Sequence, residues 1–489
     1  MTRTGLTIAS AALVAAVYSP GSFGLATSSQ QQGSDLARRV ASAPDGLVKM
    51  TYASRDGICG DGRSFIGDAA SRGPGLSIWF SDGMSMTTMT GDIGARCQSG
   101  PVRLLLVVRD HSVIDVQPFV GPPSAATERA GTDLGTVAVR DVSRYMLDLA
   151  ATGRRETARN AILAASIADS VRIASSLATM ARNKSLGVVV REQALRWLGR
   201  VSDHEGDRDA MQVAHTILED RDDRTDIRER AIRVIGEDES GGPAYLRSVY
   251  GRIEDSALRE RIVRVVGETG TKADLDWIRA IALDRSERSS IRERAVRTLG
   301  EASDSRTLRE LFDRLDEPGL RDRVIRTVAE MGDAESQRWL RDIVERNSES
   351  ASVRERAIRS LADQGEADYL RAAYRRLDDE GLRERIIRSV ADAGGSETTA
   401  WLRAIVLDEK ESSGLRDRAV RSLADAGVQT TALVSLYDST ADRSVRDRLV
   451  SILADRGDRT AREKLRSIAT SDPDEDLRRR ATKKLAEDR

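Results

Sequence analysis

The feature that most constrains this chain is a short charged motif that recurs at a nearly constant interval. One copy reads SVRERAIRSLAD, from Ser352 to Asp363, and ten copies are present in all. Aligned on their first apolar residue, they start at Val190, Ile227, Leu258, Ile291, Leu320, Val353, Leu382, Leu415, Val445 and Leu477. Most steps are 29 to 33 residues, enough for two antiparallel helices and their turns. The repeat therefore predicts a succession of helix pairs rather than three independent globular domains.

A second rhythm, of 62 residues, divides the copies into two classes. Trp277, Trp339 and Trp401 keep this interval on the partner helix of one class. The other class is marked by Tyr250, Phe312, Tyr374 and Tyr437. We expect these aromatic side chains to pack between repeats, which is their usual role at helical spacing. A stacking surface for a ligand is the alternative.

Within each motif, helical geometry separates a buried face from an exposed one. With the first apolar residue as position 0 and about 100° per residue, positions 0, 4, 5 and 8 fall within an arc of about 140°. Position 9, at about 180°, is Ala or Gly in most copies, which lets neighbouring helices approach closely. One such face is what a helix packed into a stack of repeats requires.

Position 1 is arginine in every copy, although it falls in the middle of the apolar face. A partly buried guanidinium needs carboxylates or carbonyls for its donors. In seven copies an acid stands five residues earlier, in the turn. The sequence therefore predicts a structural ladder in which each arginine bonds turn groups of its own or a neighbouring repeat. The ladder arginines are Arg228, Arg259, Arg292, Arg321, Arg354, Arg383 and Arg416.

Positions 2, 3 and 6 fall on the opposite side of the helix and carry an acid and two arginines. The acid at position 2 precedes the arginine at position 6 by four residues, a favourable order for an ion pair along a helix. Two interpretations remain open: a solvated, self-neutralised face, or a groove for a partner of matching charge. The candidate partner-binding residues are Arg261, Arg264, Arg294, Arg297, Arg323, Arg326, Arg356, Arg359, Arg385, Arg388, Arg418 and Arg421.

The motif resembles the HEAT-like repeats, particularly the short variety first described in phycobilisome lyases. The resemblance is carried by DDRTDIRERAIRVIGE, SERSSIRERAVRTLGE and DDEGLRERIIRSVAD, and it covers roughly residues 140–489. It implies a mainly α fold: a right-handed α-solenoid of about ten to twelve two-helix repeats over residues 134–489, whose second helices line the concave side. The chain departs from the family by keeping only Pro318 and Pro473 in the turns.

The first residues are typical of a secretory signal peptide. Arg3 precedes an apolar run from Leu6 to Val17, and Gly24 and Ala26 offer a cleavage site of small residues. We expect residues 1–26 to be a signal peptide and residues 27–46 a polar lead-in, with the mature protein periplasmic or secreted. An uncleaved anchor is the alternative. No later stretch approaches transmembrane length, so no integral span is expected after signal removal.

A small β-rich module is expected at residues 47–121. Short apolar runs broken by glycine suggest strands, and the runs on either side of Arg109–Ser112 suggest a hairpin. The only two cysteines of the chain, Cys59 and Cys97, lie here. In an exported chain, an even count in one small module favours a disulfide. Residues 122–133, which begin with two prolines and contain mostly small and polar residues, are predicted to be a linker.

Composition excludes more functions than it supports. The formal net charge of −1 argues against a bulk electrostatic grip on nucleic acid. His111, His204 and His215 are the only histidines and lack metal-ligand spacing, and no nucleophile motif appears. We therefore expect no cofactor, no metal and no catalytic residues. The hypothesis is an exported, non-enzymatic scaffold that binds a protein or peptide on the concave face. The alternative is a lyase-like or other enzyme-associated HEAT-repeat protein.

Overall fold

The structure is a computed structural model that describes residues 35–68, 76–80, 85–89, 97–238, 240–302 and 305–487. The predicted signal peptide lies outside the described residues. The chain divides into two compact units, Met1–Leu246 and Arg247–Arg489. The first contains the β-rich module and the first helix pairs, and the second consists of helices.

The β-rich module is built from two sheets. One has the strand order β8-β7-β1-β9 and the other β5-β4-β3-β2-β6. The strands are β1 (Gly46–Tyr52), β2 (Ile58–Gly60), β3 (Phe65–Asp68), β4 (Leu76–Phe80), β5 (Ser85–Met89), β6 (Gln98–Ser99), β7 (Val102–Arg109), β8 (Ser112–Phe119) and β9 (Thr132–Thr136). The predicted hairpin is present: β7 and β8 pair antiparallel, and Asp110 and His111 turn between them with positive φ.

The predicted disulfide is also present. Cys59 and Cys97 are bonded, with their Cα atoms 5.1 Å apart. Cys59 lies in β2, and Cys97 immediately precedes β6, which pairs with β2. The bridge therefore ties together two segments of one sheet that are 38 residues apart in sequence.

Two segments depart from the predicted organisation. The polar lead-in contains a helix, α1, over residues 35–41, whose Leu36 and Val40 are buried. The predicted linker is folded onto the module instead of connecting it loosely. Ser124 is buried and its hydroxyl donates to the carbonyl of Gly62 (2.5 Å). The segment ends in β9, which pairs parallel with β1. The composition of residues 122–133 predicts turns, but it does not predict this pairing, because strand β1 is distant in sequence.

The module packs on the first helix pair of the same unit. Strand β8 is at the edge of its sheet, so its outward carbonyls need donors. Helix α3 (Arg155–Ser166) supplies them: Thr157 Oγ1 donates to Ile114 O (2.9 Å), and buried Asn160 donates to Val116 O (2.8 Å). Tyr52 on β1 donates to Ala164 O (2.8 Å). The module thus covers an end of the helical array that would otherwise expose an apolar face.

The predicted α-solenoid forms the rest of the chain. The helices are α2 (Val139–Thr152), α3 (Arg155–Ser166), α4 (Ala174–Arg182), α5 (Val188–Glu205), α6 (Arg208–Glu219), α7 (Thr225–Gly236), α8 (Gly242–Val249), α9 (Ser256–Gly267), α10 (Lys272–Leu283), α11 (Ser289–Ala302), α12 (Ser305–Phe312), α13 (Pro318–Met331), α14 (Ala334–Glu345), α15 (Ala351–Asp363), α16 (Ala367–Tyr374), α17 (Glu380–Ala393), α18 (Ser396–Leu407), α19 (Ser413–Asp425), α20 (Thr430–Ser439), α21 (Arg443–Arg456), α22 (Arg459–Ser471) and α23 (Glu475–Glu487). A short 3₁₀ segment, Tyr250–Arg252, follows α8. Among the described residues, no helix is both long and apolar enough to cross a membrane.

In the second unit every motif lies on a helix of its own, and these motif helices pack against one another in one row. The row is α9, α11, α13, α15, α17, α19, α21 and α23, and each motif helix also packs on its partner helix. Turn residues cap the N-termini of several motif helices. The side chains of Asp255, Ser350, Asp379 and Ser412 accept hydrogen bonds from N–H groups of the first turn. Pro318 stands in the first turn of α13, where its missing N–H costs nothing.

The regular aromatic residues pack between helices, as predicted. Tyr250 meets Trp277, Phe312 meets Trp339, and Tyr374 meets Trp401. All three pairs are edge-to-face, with ring centroids 5.1–5.4 Å apart. Trp339, Phe312 and Tyr374 are buried. These rings therefore form the repeated core of the two-repeat block and are not an open stacking surface.

Candidate partner-binding face

The position 1 arginines are held inside the repeats by two kinds of contact. In one class the guanidinium Nε donates to a carbonyl ten residues earlier, at the end of the partner helix. Arg228 donates to Leu218 O, Arg292 to Ala282 O, and Arg354 to Val344 O, at 2.8–3.0 Å. These three arginines are 3–7% exposed. They are structural residues, because a ligand has no access to them.

In the other class the guanidinium lies over an aromatic ring of the preceding partner helix. Arg259, Arg321 and Arg383 stand 4.2, 4.0 and 4.3 Å from the ring centroids of Tyr250, Phe312 and Tyr374. Arginine is well suited to this place, because its flat cation stacks on a ring while its edge still donates hydrogen bonds.

The carboxylates that complete the ladder come from the following repeat. Arg259 pairs with Glu287 (2.5 Å), Arg321 with Glu349 (2.6 Å) and Arg383 with Glu411. Arg416 pairs with Asp442 (2.9 Å), and Arg292 pairs with Glu317. Glu317 stands in the turn before the next motif, and its neighbour Asp316 pairs with exposed Arg285. These five rungs therefore join one repeat to the next, whereas Arg228 and Arg354 bond a carbonyl of their own repeat.

The outward side of the motif helices forms what we call the charged face: positions 2, 3 and 6 of α11, α13, α15, α17, α19 and α21. From α13 onward, its position 3 arginines bond the position 2 acid of the motif helix before them. The pairs are Arg323–Glu293 (2.9 Å), Arg356–Asp322, Arg385–Glu355 (2.8 Å), Arg418–Glu384 (2.9 Å) and Arg448–Asp417 (2.5 Å). Arg480 on α23 extends the series to Asp447 (3.1 Å). An unbroken chain of ion pairs thus links seven consecutive motif helices.

Positions 3 and 6 differ in access, although the sequence predicted both to be exposed. The position 3 side chains of Arg323, Arg356, Arg385 and Arg418 are only 20–26% exposed. The position 6 side chains of Arg326, Arg388 and Arg421 are 41–42% exposed. Position 6 is therefore the more accessible of the two on α13, α17 and α19, whereas on α21 the position 3 residue Arg448 is itself 40% exposed.

The position 6 arginines also differ among themselves. Arg326 pairs with Asp322 (2.8 Å), Arg388 with Glu384 (2.5 Å), and Arg421 with Asp417, all within one helix. Among the residues that the structure describes, no carboxylate is within ion-pair distance of Arg297 or Arg359, nor of the position 3 residue Arg294. Burial, followed by repulsion from Arg356 and Arg385, lowers the pKa of Arg359. Arg261 and Arg264, on α9, both have interaction partners.

Sequence reasoning missed a row of acids beside the charged face. Position 10, one turn beyond position 6, is an exposed acid in six consecutive motif helices. They are Glu301, Glu330, Asp363, Asp392, Asp425 and Asp455. Within the described part of the chain none of these carboxylates forms an ion pair. All stand in the last turn of a helix, where the helix dipole disfavours negative charge. The signal in the sequence is the acid that recurs at position 10 of each of these motifs.

A groove interrupts the charged face between α19 and α21. It has a volume of about 340 Å³ and is lined by Arg421, Asp425, Arg448, Ser451, Ile452 and Asp455, among others. Position 6 of α21 is Ser451 instead of arginine, and the shorter side chain leaves this space.

The first unit carries a further arginine cluster that the prediction did not include. Arg196 and Arg200 on α5 lie close to Arg230 and Arg233 on α7. Burial, followed by repulsion from these neighbours, lowers the pKa of Arg196 to about 10. The available signal was Arg200, which occupies position 10, where the later copies have an acid.

No histidine belongs to a group placed to hold a metal ion in the described residues. His111 bonds the carbonyl of Ala41 (2.8 Å), and His215 stacks on Tyr245 at 3.8 Å. His204 lines a cavity of about 220 Å³ with Glu205, whose carboxylate accepts the N–H groups that begin α4. No group of three or more His, Cys, Asp or Glu side chains in the described part of the chain is placed to hold a metal.

Comparison with known proteins confirms the predicted resemblance in the centre of the array. The family model described as HEAT repeats matches residues 280–362, which include α11 to α15. No curated protein matches the chain closely enough to count as a relative.

Several solved structures are similar to parts of this chain. Human deoxyhypusine hydroxylase in complex with glycerol is 15% identical, with a TM-score of 0.21, covering 58% of this chain and 98% of that one. The CpcE–CpcF complex of phycocyanin lyase from Nostoc sp. is 15% identical, with a TM-score of 0.22, covering 57% and 94%. Importin beta is 12% identical, with a TM-score of 0.31, covering 71% of this chain and 58% of that one. The chain thus spans little more than half of importin beta. These likenesses concern the fold alone.

Proposed function

We propose that the protein is an exported scaffold, without catalytic activity of its own, that binds a protein or peptide on the charged face. The observation that carries this proposal is the unbroken series of inter-helix ion pairs from Arg323–Glu293 to Arg480–Asp447. It holds the motif helices in a fixed register and produces a long surface of regularly spaced charge. Such a surface suits an elongated partner, since recognition is spread over many equivalent positions.

The chemistry of the face favours binding a polypeptide over binding nucleic acid. Each position 2 acid neutralises one or two arginines, and the acids at position 10 add negative charge beside them. A phosphate backbone would meet this negative row together with the arginines, whereas nucleic acid binding depends on uncompensated positive charge. A polypeptide can place both signs of charge where the face requires them.

Export is part of the proposal and is supported by two features. The N-terminal residues 1–26 have the pattern of a signal peptide, and Cys59 and Cys97 are disulfide-bonded. Disulfides persist in the periplasm or outside the cell, where thiols are not kept reduced. We place the mature protein there.

The test combines six charge reversals with a capture assay in the envelope fraction. The sixfold variant replaces Arg294, Arg297, Arg356, Arg359, Arg418 and Arg421 with Glu. We expect cross-linking and pull-down with the wild-type protein to recover a partner that the variant does not recover, while circular dichroism shows equal helicity. Unaltered capture by a folded variant would exclude the charged face as the binding site. The matched control reverses the charge of the six position 10 acids, Glu301, Glu330, Asp363, Asp392, Asp425 and Asp455. It should leave the contacts between the arginines and the partner intact.

A further inference from the structure

The pairing of the position 6 arginines alternates along part of the charged face. Arg297 on α11 and Arg359 on α15 have no carboxylate partner among the described residues, whereas Arg326 on α13 and Arg388 on α17 are each neutralised within their own helix. The alternation follows the two-repeat block over α11 to α17. It ends at α19, where Arg421 pairs with Asp417.

The alternation has a direct cause in the position 2 acids. Asp322 and Glu384 each accept two arginines, one from their own helix and one from the next motif helix. Glu355 accepts only Arg385 from the next helix, so its own position 6 arginine is left without it. The same holds for Glu293, which pairs with Arg323. Arg297 and Arg359 are half-buried residues, and their guanidinium groups therefore lack a carboxylate that an external acceptor could supply.

The distance between these two arginines sets a spacing for that acceptor. They lie on motif helices separated by one other helix, so two interhelical steps of about 8–10 Å place them roughly 16–20 Å apart. An extended peptide advances about 3.3 Å per residue, so about five or six residues span this distance. Between them stands Arg326, already neutralised, and one turn beyond the two arginines on their own helices stand the exposed acids Glu301 and Asp363.

We propose that the charged face binds an extended peptide segment that carries two carboxylate side chains six residues apart, one on Arg297 and one on Arg359, since an even separation keeps both side chains on the same side of an extended segment. The inference rests on the proposed function and specifies the partner's chemistry. Residues between the two carboxylates are neutral or basic, because a continuous acidic run would meet the acids at position 10. Spacing, and not total negative charge, selects the partner.

The experiment uses the mature full-length protein with its disulfide intact and fluorescently labelled synthetic peptides. One peptide carries two Glu residues six positions apart with Ser, Gly and Lys between them. The second has the same composition with the two Glu adjacent. At low salt, anisotropy should show about tenfold tighter binding of the spaced peptide, because it alone reaches both arginines. Equal affinities would overturn the inference.

Two double variants supply the matched comparison, since each removes two positive charges from the same row. Arg297→Gln with Arg359→Gln should bring the spaced peptide to the affinity of the adjacent one. Arg326→Gln with Arg388→Gln should leave the preference for the spaced peptide in place. An equal loss in both double variants would show that the protein responds only to total charge, which contradicts the proposed spacing.

The peptide experiment and the capture experiment distinguish the inference from the proposed function. If the two peptides bind equally well while the sixfold arginine reversal still abolishes capture of the native partner, the proposed spacing is wrong and the proposed function is supported. If the sixfold variant still captures the partner, the proposed function is wrong.

Discussion

Gly300 on α11 packs so closely against Thr327 on α13 that a Cβ at position 300 would overlap Thr327 Cγ2. Gly267 stands in the same relation to Thr298 one motif helix earlier. Position 9 of one motif helix thus faces position 7 of the next. In three copies position 9 is Ala and position 7 of the next copy is Ser: Ala329 with Ser360, Ala362 with Ser389, and Ala391 with Ser422. The two positions are matched in size, which keeps successive motif helices at one separation.

Gly300→Ala should therefore destabilise the protein, although alanine is the better helix former. Overpacking of a well-filled contact costs about 1–3 kcal/mol, which exceeds the gain in helix propensity. Chemical denaturation of the full chain measures the change. The control is the double variant with Thr327→Ser, which reproduces the Ala–Ser pair used by other copies and should recover most of the loss. Additive losses in the double variant would show that the two side chains do not meet.

Arg354→Ala should lower stability much more than Arg356→Ala, although the two arginines are two residues apart. Arg354 is 7% exposed and its Nε donates to Val344 O, so truncation leaves a buried carbonyl and a cavity. Loss of such a bond costs about 1–3 kcal/mol. Arg356 is one-quarter exposed and its loss opens the site to water. Thermal unfolding of both variants provides the comparison, and equal melting temperatures would mean that Arg354 does not support the repeat.

The sequence predicted architecture more fully than it predicted the site, for a physical reason. Helix pairs, the position 1 arginines and the aromatic contacts follow from a pattern repeated many times, so packing is encoded redundantly. Asp322–Arg326 and Glu355–Arg359 have the same spacing and the same charges, yet only the first is an ion pair. Which arginine an acid accepts depends on the rotamer and on the next helix, and no single motif contains that information. The docking of Asn160 on strand β8 was likewise hidden, because its partner lies in another element.

The ion pairs of the charged face should contribute less to stability at acidic pH. The hydrogen bond from Arg388 holds the pKa of Glu384 below the usual 4.5, with burial opposing and Arg418 assisting. A carboxyl group whose pKa is depressed by folding contributes stability that is present above its unfolded value and is lost as pH falls through the folded one. We therefore expect stability to decline below about pH 4.5, and Glu384→Gln should reduce the steepness of that decline. The measurement is the unfolding midpoint between pH 3 and 7, with exposed Glu397→Gln as the matched control. An identical pH profile for the two variants would contradict the role of Glu384.

Removal of the disulfide should weaken the β-rich module and leave the helices of the second unit unchanged. The bond joins residues 38 positions apart, and a loop of this size contributes about 2–4 kcal/mol by restricting the unfolded chain. We expect the double variant Cys59→Ser with Cys97→Ser to be cleaved by protease within residues 47–121 at a lower temperature than the wild type. The fragment that remains should keep its helical circular dichroism. Non-reducing mass spectrometry of the wild-type protein recovered from the envelope fraction is the control, and it should show Cys59 joined to Cys97. Free thiols at both positions would contradict the bridge and remove one of the two supports for export.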